Sequence, residues 1–232
     1  IAIGPMFNEG ERAAEVARKF PVGAVDEILI VDDASTDDSA EKIRQTGASV
    51  LTLPERSGCG GAIRAGIDYG LKKGYDVFVV FAANGKDNPQ EVQNLLRPII
   101  EEGADFVQGS RYLPGGRWGN MPLHRKWGTR AYSLLFSLFV RYWITDGTNG
   151  FRAFRRSLLE NPGVNIHQSW LDGYSVETYL FVQAIRFKYK VREAAVSKIY
   201  PPSKNGYTKM KAWSGWWNHF KPVPYLTLGL KK

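Results

Sequence analysis

A single cysteine, Cys59, stands among 232 residues, which excludes an intrachain disulfide and a cysteine-built zinc cage and suits a reducing compartment. No apolar run reaches the roughly 20 residues that a spanning helix needs. The longest, Ala131 to Val140 continuing through Arg141 to Ile144, can lie on a bilayer but not cross it. No secretory leader is visible, and a cytoplasmic location is expected. Acidic residues stop at Glu193 while seven lysines follow it, so the formal charge of +8 is concentrated late in the chain and calls for anionic partners. Hydrophobic residues make up 44% of the chain, which excludes a disordered protein.

The stretch Asp76 to Pro89 organises what is there. Val77-Phe78-Val79-Val80-Phe81 is the continuous β-branched and aromatic run of a strand buried on both faces, as at the centre of a parallel sheet. The polar turn Ala82-Ala83-Asn84-Gly85-Lys86-Asp87-Asn88 follows, and Pro89 opens a helix. Ligands gather at the carboxyl ends of strands in open α/β sheets, so this turn is a candidate site, although a plain surface turn reads the same way in isolation.

Ile1 to Ile3, Glu27 to Val31, Val50 to Leu53 and Ala104 to Val107 read as four further strands. Asn8 to Glu11 has capping-box spacing ahead of Ala13, Val16, Ala17 and Phe20. Ser35 to Asp38 is expected to cap a second helix ending near Gly47. The turn Arg56-Ser57-Gly58-Cys59-Gly60-Gly61 opens a third helix and suits either phosphate binding or close packing of helix on sheet. Val92, Leu95, Leu96, Ile99 and Ile100 stripe a fourth, and Lys190 to Tyr200 alternates like an edge strand. Strands alternating with helices in this way predict an α/β fold, a doubly wound and mostly parallel sheet with helices on both faces. The first strand runs into Pro5-Met6-Phe7-Asn8-Glu9 and not into Gly-x-Gly-x-x-Gly, which argues against a nicotinamide enzyme.

Four segments follow one another: Pro5-Met6-Phe7-Asn8-Glu9, Ile30-Val31-Asp32-Asp33-Ala34-Ser35-Thr36-Asp37, Gly109-Ser110-Arg111-Tyr112 and Asp146-Gly147-Thr148-Asn149-Gly150-Phe151-Arg152. In order and spacing they resemble family 2 glycosyltransferases, above all the dolichyl-phosphate mannose synthase and polyprenyl-phosphate sugar transferase branch. The resemblance covers nearly the whole chain. It implies a GT-A fold over residues 1–200, with a nucleotide-sugar half (1–110), an acceptor half (111–200) and a basic, aromatic tail (201–232). It also implies inverting transfer of a sugar from GDP-mannose or a UDP-hexose to a polyprenyl or dolichyl phosphate, at the cytoplasmic face of a membrane.

Carried over by position, the resemblance puts Pro5, Glu9 and Asp33 in the nucleotide pocket, and Asn8, Asn84, Lys86 and Arg111 are expected as further nucleotide-sugar-binding residues. Asp33, at a strand's carboxyl end, can accept from base N–H groups, whereas Asp32 is expected to serve its own turn. Gly206-Tyr207-Thr208-Lys209 matches the family's late Gly-x-Ser-Lys segment and would bring Lys209 to the donor phosphates. One departure matters: where the family usually has Asp-x-Asp, this chain has Ala82-Ala83-Asn84. Mg²⁺ or Mn²⁺ is bound through one or two carboxylates plus substrate phosphates. Asp87 and Asn84 remain as the expected metal ligands, with Lys86 sharing the diphosphate charge.

On the acceptor side Arg152 and Arg125 are expected to hold the lipid phosphate and Asp146 to orient its loop, with Arg130 a weaker candidate. An acceptor hydroxyl, as in surface glycan synthesis, would instead need a carboxylate base, for which Asp146, Asp172 and Glu177 stand open, and a non-catalytic nucleotide-sugar-binding paralogue is a further alternative. Ala131 to Ile144 and Trp213 to Lys232 combine aromatics and lysine without acid, the composition of a segment on an anionic membrane surface. No standard nucleic-acid module is present, so nucleic acid is not an expected partner. The Gly-rich, basic activation loop of a sugar nucleotidyltransferase is likewise missing.

Overall fold

The computed structural model describes residues 1–171, 173–200 and 212–231. In chain order the elements are β1 (Ala2–Met6), α1 (Gly10–Arg18), β2 (Ile28–Asp32), α2 (Ser39–Arg44), β3 (Ser49–Thr52), α3 (Gly58–Lys73), β4 (Val77–Val80), α4 (Val92–Glu102) and β5 (Phe106–Ser110). Then come β6 (Arg117–Gly119), α5 (Leu123–Val140), β7 (Arg152–Arg155), α6 (Arg156–Leu159), α7 (Ser175–Arg186), β8 (Val191–Ala195), β9 (Ser197–Ile199), α8 (Ala212–Phe220) and α9 (Pro222–Thr227). The strands among the described residues form a seven-stranded sheet in the order β3-β2-β1-β4-β7-β5-β8, with β6 and β9 paired separately.

The expected doubly wound sheet is present, with the organising strand β4 in its middle. Because successive side chains point to opposite faces, the sheet divides two cores between them. Ile3, Leu29, Val31, Phe78, Phe106 and Phe154 meet α3 and α7 on one side, while Ala2, Ile30, Val79, Phe81 and Val107 meet α1 and α4 on the other. Phe106 lies between Phe154 and Phe181, with ring centroids 6.1 and 4.9 Å away.

Three features differ from the sequence reading. First, β7 is inserted antiparallel between β4 and β5, pairing Val80 with Arg152 and Gln108 with Arg152. The halves 1–110 and 111–200 therefore share one sheet. Second, Lys190 to Tyr200 is two strands: β8 holds the sheet edge beside β5, and after Val196 the chain leaves as β9 to pair with β6. Third, the capping box does not form. Asn8 adopts a φ of 48° and bonds Thr36, so Glu9 takes the N-cap position of α1 without a side-chain cap.

The chain from Ala212 onward folds back: Val223 and Leu226 of α9 are fully buried, and α9 packs on α5 and α7. Trp216 and Phe220 face Tyr132 at 6.2 and 5.2 Å. Part of the tail's aromatic content, expected at a lipid surface, thus belongs to the core.

Helix α3 lies against β1 and β2 through glycine. A Cβ on Gly66 would come within 2.5 Å of the Ile3 Cγ2 and 3.1 Å of the Val31 Cγ2. Alanine favours a helix interior by up to about 1 kcal/mol over glycine, but overpacking costs about 1–3 kcal/mol. Gly66→Ala is expected to lower the midpoint of thermal unfolding by several degrees, at about 2–4 °C per kcal/mol for a chain of this size. A midpoint equal to or above the parent's would show that α3 can lift off the sheet freely.

Candidate active site

The carboxyl ends of β1 and β2 form one rim of the site. Asp32 accepts from the Ser35 N–H at 3.0 Å, closing its own turn. Asp33, expected to read the base, is buried and already engaged: one oxygen accepts from the Ser57 N–H at 2.7 Å and its hydroxyl at 3.0 Å, the other from the Gly58 N–H at 2.9 Å. It anchors the first turn of α3, where the N–H groups have no helical partner. Asn8 is tied to the Ser35-Thr36 turn through its N–H and its amide, and Pro5 is a strand residue paired with Val31. What faces outward here is a stack that sequence reasoning missed, the Arg56 guanidinium 3.6 Å from the centroid of the Phe7 ring. The glycine-rich turn is close packing: Gly60 donates to the Gly173 carbonyl at 2.6 Å, and a Cβ there would strike that carbonyl.

At the end of β4 the turn folds back on itself. Asp87 is buried; its Oδ2 accepts from the Ala82 N–H at 2.8 Å and its Oδ1 from the Lys198 ammonium at 2.5 Å. Lys198, on β9, also donates to the Asn149 Oδ1 at 3.1 Å. The Asn84 Oδ1 accepts weakly from the Lys86 N–H at 3.4 Å. Asp87, expected with Asn84 to hold Mg²⁺ or Mn²⁺, is here the anion of a buried ion pair. Like charges 4 Å apart cost about 4 kcal/mol at an effective dielectric of 20, and a divalent ion here would meet Lys198 directly. No group of three or more His, Cys, Asp or Glu converges among the described residues.

Beyond this turn lies a cleft of about 160 Å³ whose wall includes Ala82, Lys86, Arg125, Glu177, Lys198 and Tyr200. The structure thus brings together Asn84, Lys86, Arg111, Arg125 and Glu177, and adds Thr148, Lys198 and Tyr200. Arg125 donates to the Tyr200 hydroxyl at 3.3 Å, and the Lys86 ammonium lies 5.4 Å from the Tyr200 ring centroid. Burial, then Lys198, holds the Lys86 ammonium below the usual lysine range. Burial raises the Tyr200 phenol, but Lys198, Arg111 and Arg125 outweigh it and bring it below its ordinary value.

Two buried ion pairs support the cleft. Asp146 receives the Arg111 guanidinium at 2.6 and 3.1 Å, and its Oδ1 also accepts from the Thr148 hydroxyl at 3.0 Å. Arg152 is not on the cleft wall. It is fully buried, donating to the carbonyls of Glu177 and Asn149, with its Nε 3.7 Å from the Glu177 carboxylate. Arg152, expected to grip an acceptor phosphate, has no exposed surface and contacts Glu177 instead. Glu177 is 8% exposed, so it is not a solvated helix-face carboxylate, and burial pushes its carboxyl up against the pull of Arg152 and Lys198. Arg130 is exposed over the Tyr112 ring. Glu9 stands at the start of α1 and outside the cleft wall. Lys209 and Asp172 lie outside the described residues.

A doubly wound sheet with one antiparallel insertion, carrying a cationic cleft at the carboxyl ends of its central strands, is a GT-A-type arrangement. The model of "Glycosyl transferase family 2" matches residues 3–162. The chain belongs to that family, and it is a glycosyltransferase. It is 31% identical over 205 residues to the undecaprenyl-phosphate mannosyltransferase of Micrococcus luteus, covering 86% of this chain and 83% of that protein. It is 30% identical over 204 residues to the polyprenol monophosphomannose synthase of Mycolicibacterium smegmatis, covering 85% and 76%. Among solved structures, glucosyl-3-phosphoglycerate synthase from Mycobacterium tuberculosis, in complex with Mn²⁺, UDP and glucosyl-3-phosphoglycerate, superposes with a TM-score of 0.65 at 21% identity, over 85% of this chain and 69% of that one.

Asp146→Asn removes the anion opposite a buried guanidinium. Breaking one side of a buried pair typically costs about 3–5 kcal/mol, so the urea midpoint should fall by a large fraction of the parent's value. Asp38→Asn, on an exposed pair with Lys42, should leave it unchanged. Equal midpoints for the Asp146 variant and the parent would show that Arg111 finds another partner.

Proposed function

We propose that this chain transfers a sugar from a nucleotide-sugar to a polyprenyl phosphate at a membrane surface. The observation that carries this reading is the cleft wall, where Lys86, Arg125 and Lys198 surround Tyr200 and the one carboxylate among the described residues, Glu177, is backed by an arginine. A phosphomonoester's second pKa is about 6, so such an acceptor is ionised near neutral pH and needs positioning, not deprotonation. The relatives named for undecaprenyl phosphate and polyprenol monophosphomannose support the same acceptor class. Arg125 and Lys86 position the acceptor phosphate, and the Phe7–Arg56 stack at the β1 rim covers the nucleotide base.

Helix α5 supplies the membrane contact in this reading. No helix among the described residues is long and apolar enough to cross a membrane, yet Leu138 is 65% and Trp143 71% exposed, beside Leu134, Leu135 and Phe139. An apolar surface of this kind, flanked by Arg130 and Arg141, suits shallow insertion among anionic lipids.

One observation favours a second reading: the Glu177 carboxyl, raised by burial, is on the cleft wall, where it could serve a hydroxyl acceptor as base. The two separate by mutation under saturating donor. With a phosphate acceptor, Arg125→Ala should lose about 10²-fold in turnover, the scale of removing one charge-stabilising donor, while Glu177→Gln stays active. A base would give a rate that falls as pH drops through the Glu177 pKa. If Glu177→Gln abolishes turnover and Arg125→Ala is mild, the hydroxyl reading takes its place.

Membrane contact is tested apart from turnover. Co-sedimentation with vesicles containing phosphatidylserine should be strong for the parent and lost in Leu138→Glu/Trp143→Glu, with the thermal midpoint unchanged because both side chains are exposed. Equal sedimentation of the two proteins would remove α5 from the membrane reading.

A further inference from the structure

We propose that the Lys198 ammonium stands in this enzyme where the family's divalent cation would act, as a built-in positive charge for the donor diphosphate, so that donor binding is independent of metal. The inference rests on the nucleotide-sugar reading above.

A departing diphosphate is best met by positive charge held rigidly before the reaction begins. Ala82, Ala83 and Asn84 offer no carboxylate to hold that charge as a metal ion. The neighbouring carboxylate, Asp87, holds it as lysine instead. A buried ammonium must be paired, and two of the three Lys198 N–H groups are, on the Asp87 Oδ1 at 2.5 Å and the Asn149 Oδ1 at 3.1 Å. Lys198 also lines the cleft, which leaves its remaining N–H for a ligand.

The holder is as constrained as the charge. Asp87 is fixed from its other oxygen by the Ala82 N–H. The strand that carries Lys198 is clamped on both sides: the Ser197 N–H and hydroxyl donate to the Glu91 carboxylate at 2.5 and 2.7 Å, and the Ile199 N–H donates to the Lys86 carbonyl at 2.9 Å. That last bond places the backbones of the two cleft lysines side by side. Lys86 and Arg125 form no ion pair among the described residues, so positive charge remains after Asp87 has neutralised Lys198. Surplus cations on the cleft wall suit an anionic group and repel a divalent ion.

The test is isothermal titration calorimetry of the full chain with UDP and GDP, each compared with its nucleoside, first in EDTA and then in excess Mn²⁺. The parent should bind one of the diphosphates with the same Kd in both buffers, within about 2-fold. Lys198→Met should weaken that binding about 10- to 100-fold, the range for one charge-assisted hydrogen bond, and leave nucleoside affinity unchanged. In that variant Asp87 is released, and Mn²⁺ should restore part of the loss. If Lys198→Met does not fold because Asp87 is left buried and unpaired, the double variant Asp87→Asn/Lys198→Met removes both charges and should show the same selective loss of diphosphate affinity. Parent binding that requires Mn²⁺, or a lysine variant that binds diphosphate as tightly as the parent, overturns the proposal alone. Absence of binding by either nucleotide in either buffer overturns the donor reading and the proposal together.

Discussion

The site depends on a guanidinium buried inside a sheet. Arg152 opens β7, the strand inserted antiparallel between β4 and β5, and has no exposed surface. Burial draws its pKa below the ordinary arginine value, with Glu177 opposing. An ion in such a place costs several kcal/mol to desolvate and is tolerated only when well bonded. Its bonds reach the Glu177 carbonyl at the start of α7 and the Asn149 carbonyl in the preceding turn. From there the contacts run on: Asn149 holds Lys198, Lys198 holds Asp87, and Asp87 holds the Ala82 N–H. One buried charge therefore sets the register of β7, the start of α7 and the turn after β4 together. Buried ion pairs of this kind add little net stability but fix geometry, and geometry is what a transferase cleft requires.

The first five strands were legible because each is a continuous apolar or alternating run, and pattern alone decides such cases. β7 was not. Arg152-Ala153-Phe154-Arg155 is short and bounded by arginines, and its place between β4 and β5 is a long-range choice that no local pattern encodes. The hydrogen bonds at the donor rim were missed for a local reason. Asp33 and Asn8 sit beside Ser57, Ser35 and Thr36, whose N–H and hydroxyl groups compete for the same oxygens. The Ser and Thr beside those residues were the available signal. Glu177 had a signal too, since Val176, Tyr179, Leu180, Phe181 and Val182 are apolar all round the helix, the mark of a fully buried one. Lys198 had none. It is one of seven lysines after Glu193, and only a contact across 111 positions of sequence separates it from the others.

Helix α5 shows how a sequence can be amphipathic in the less usual sense. Its inward face carries Thr129, Ser133 and Ser137 beside Tyr132 and Phe136. The hydroxyls have a task there: Ser133 accepts from the Gly147 N–H and Ser137 from the Ile144 N–H, supporting the loop that presents Asp146. With polar groups needed inside, the leucines at 134, 135 and 138 face outward. In water that outward face is unfavourable, which is the physical ground for the membrane contact proposed for it.

The same helix joins both ends of the proposed acceptor. Arg125 and Thr129, near its start, line the cleft, while Leu138 lies thirteen residues on, about 20 Å at 1.5 Å per residue. A phosphate held by Arg125 and a hydrocarbon chain laid along Leu134, Leu135 and Leu138 would both be served by one rigid element. Rigidity is the relevant property, because an acceptor fixed at the phosphate alone keeps the freedom of its tail, whereas one held at both places arrives at the sugar already oriented. A soluble phosphorylated acceptor would gain nothing from the exposed leucines. On that ground the apolar face and the cationic cleft are better read as parts of one acceptor site than as two unrelated surfaces.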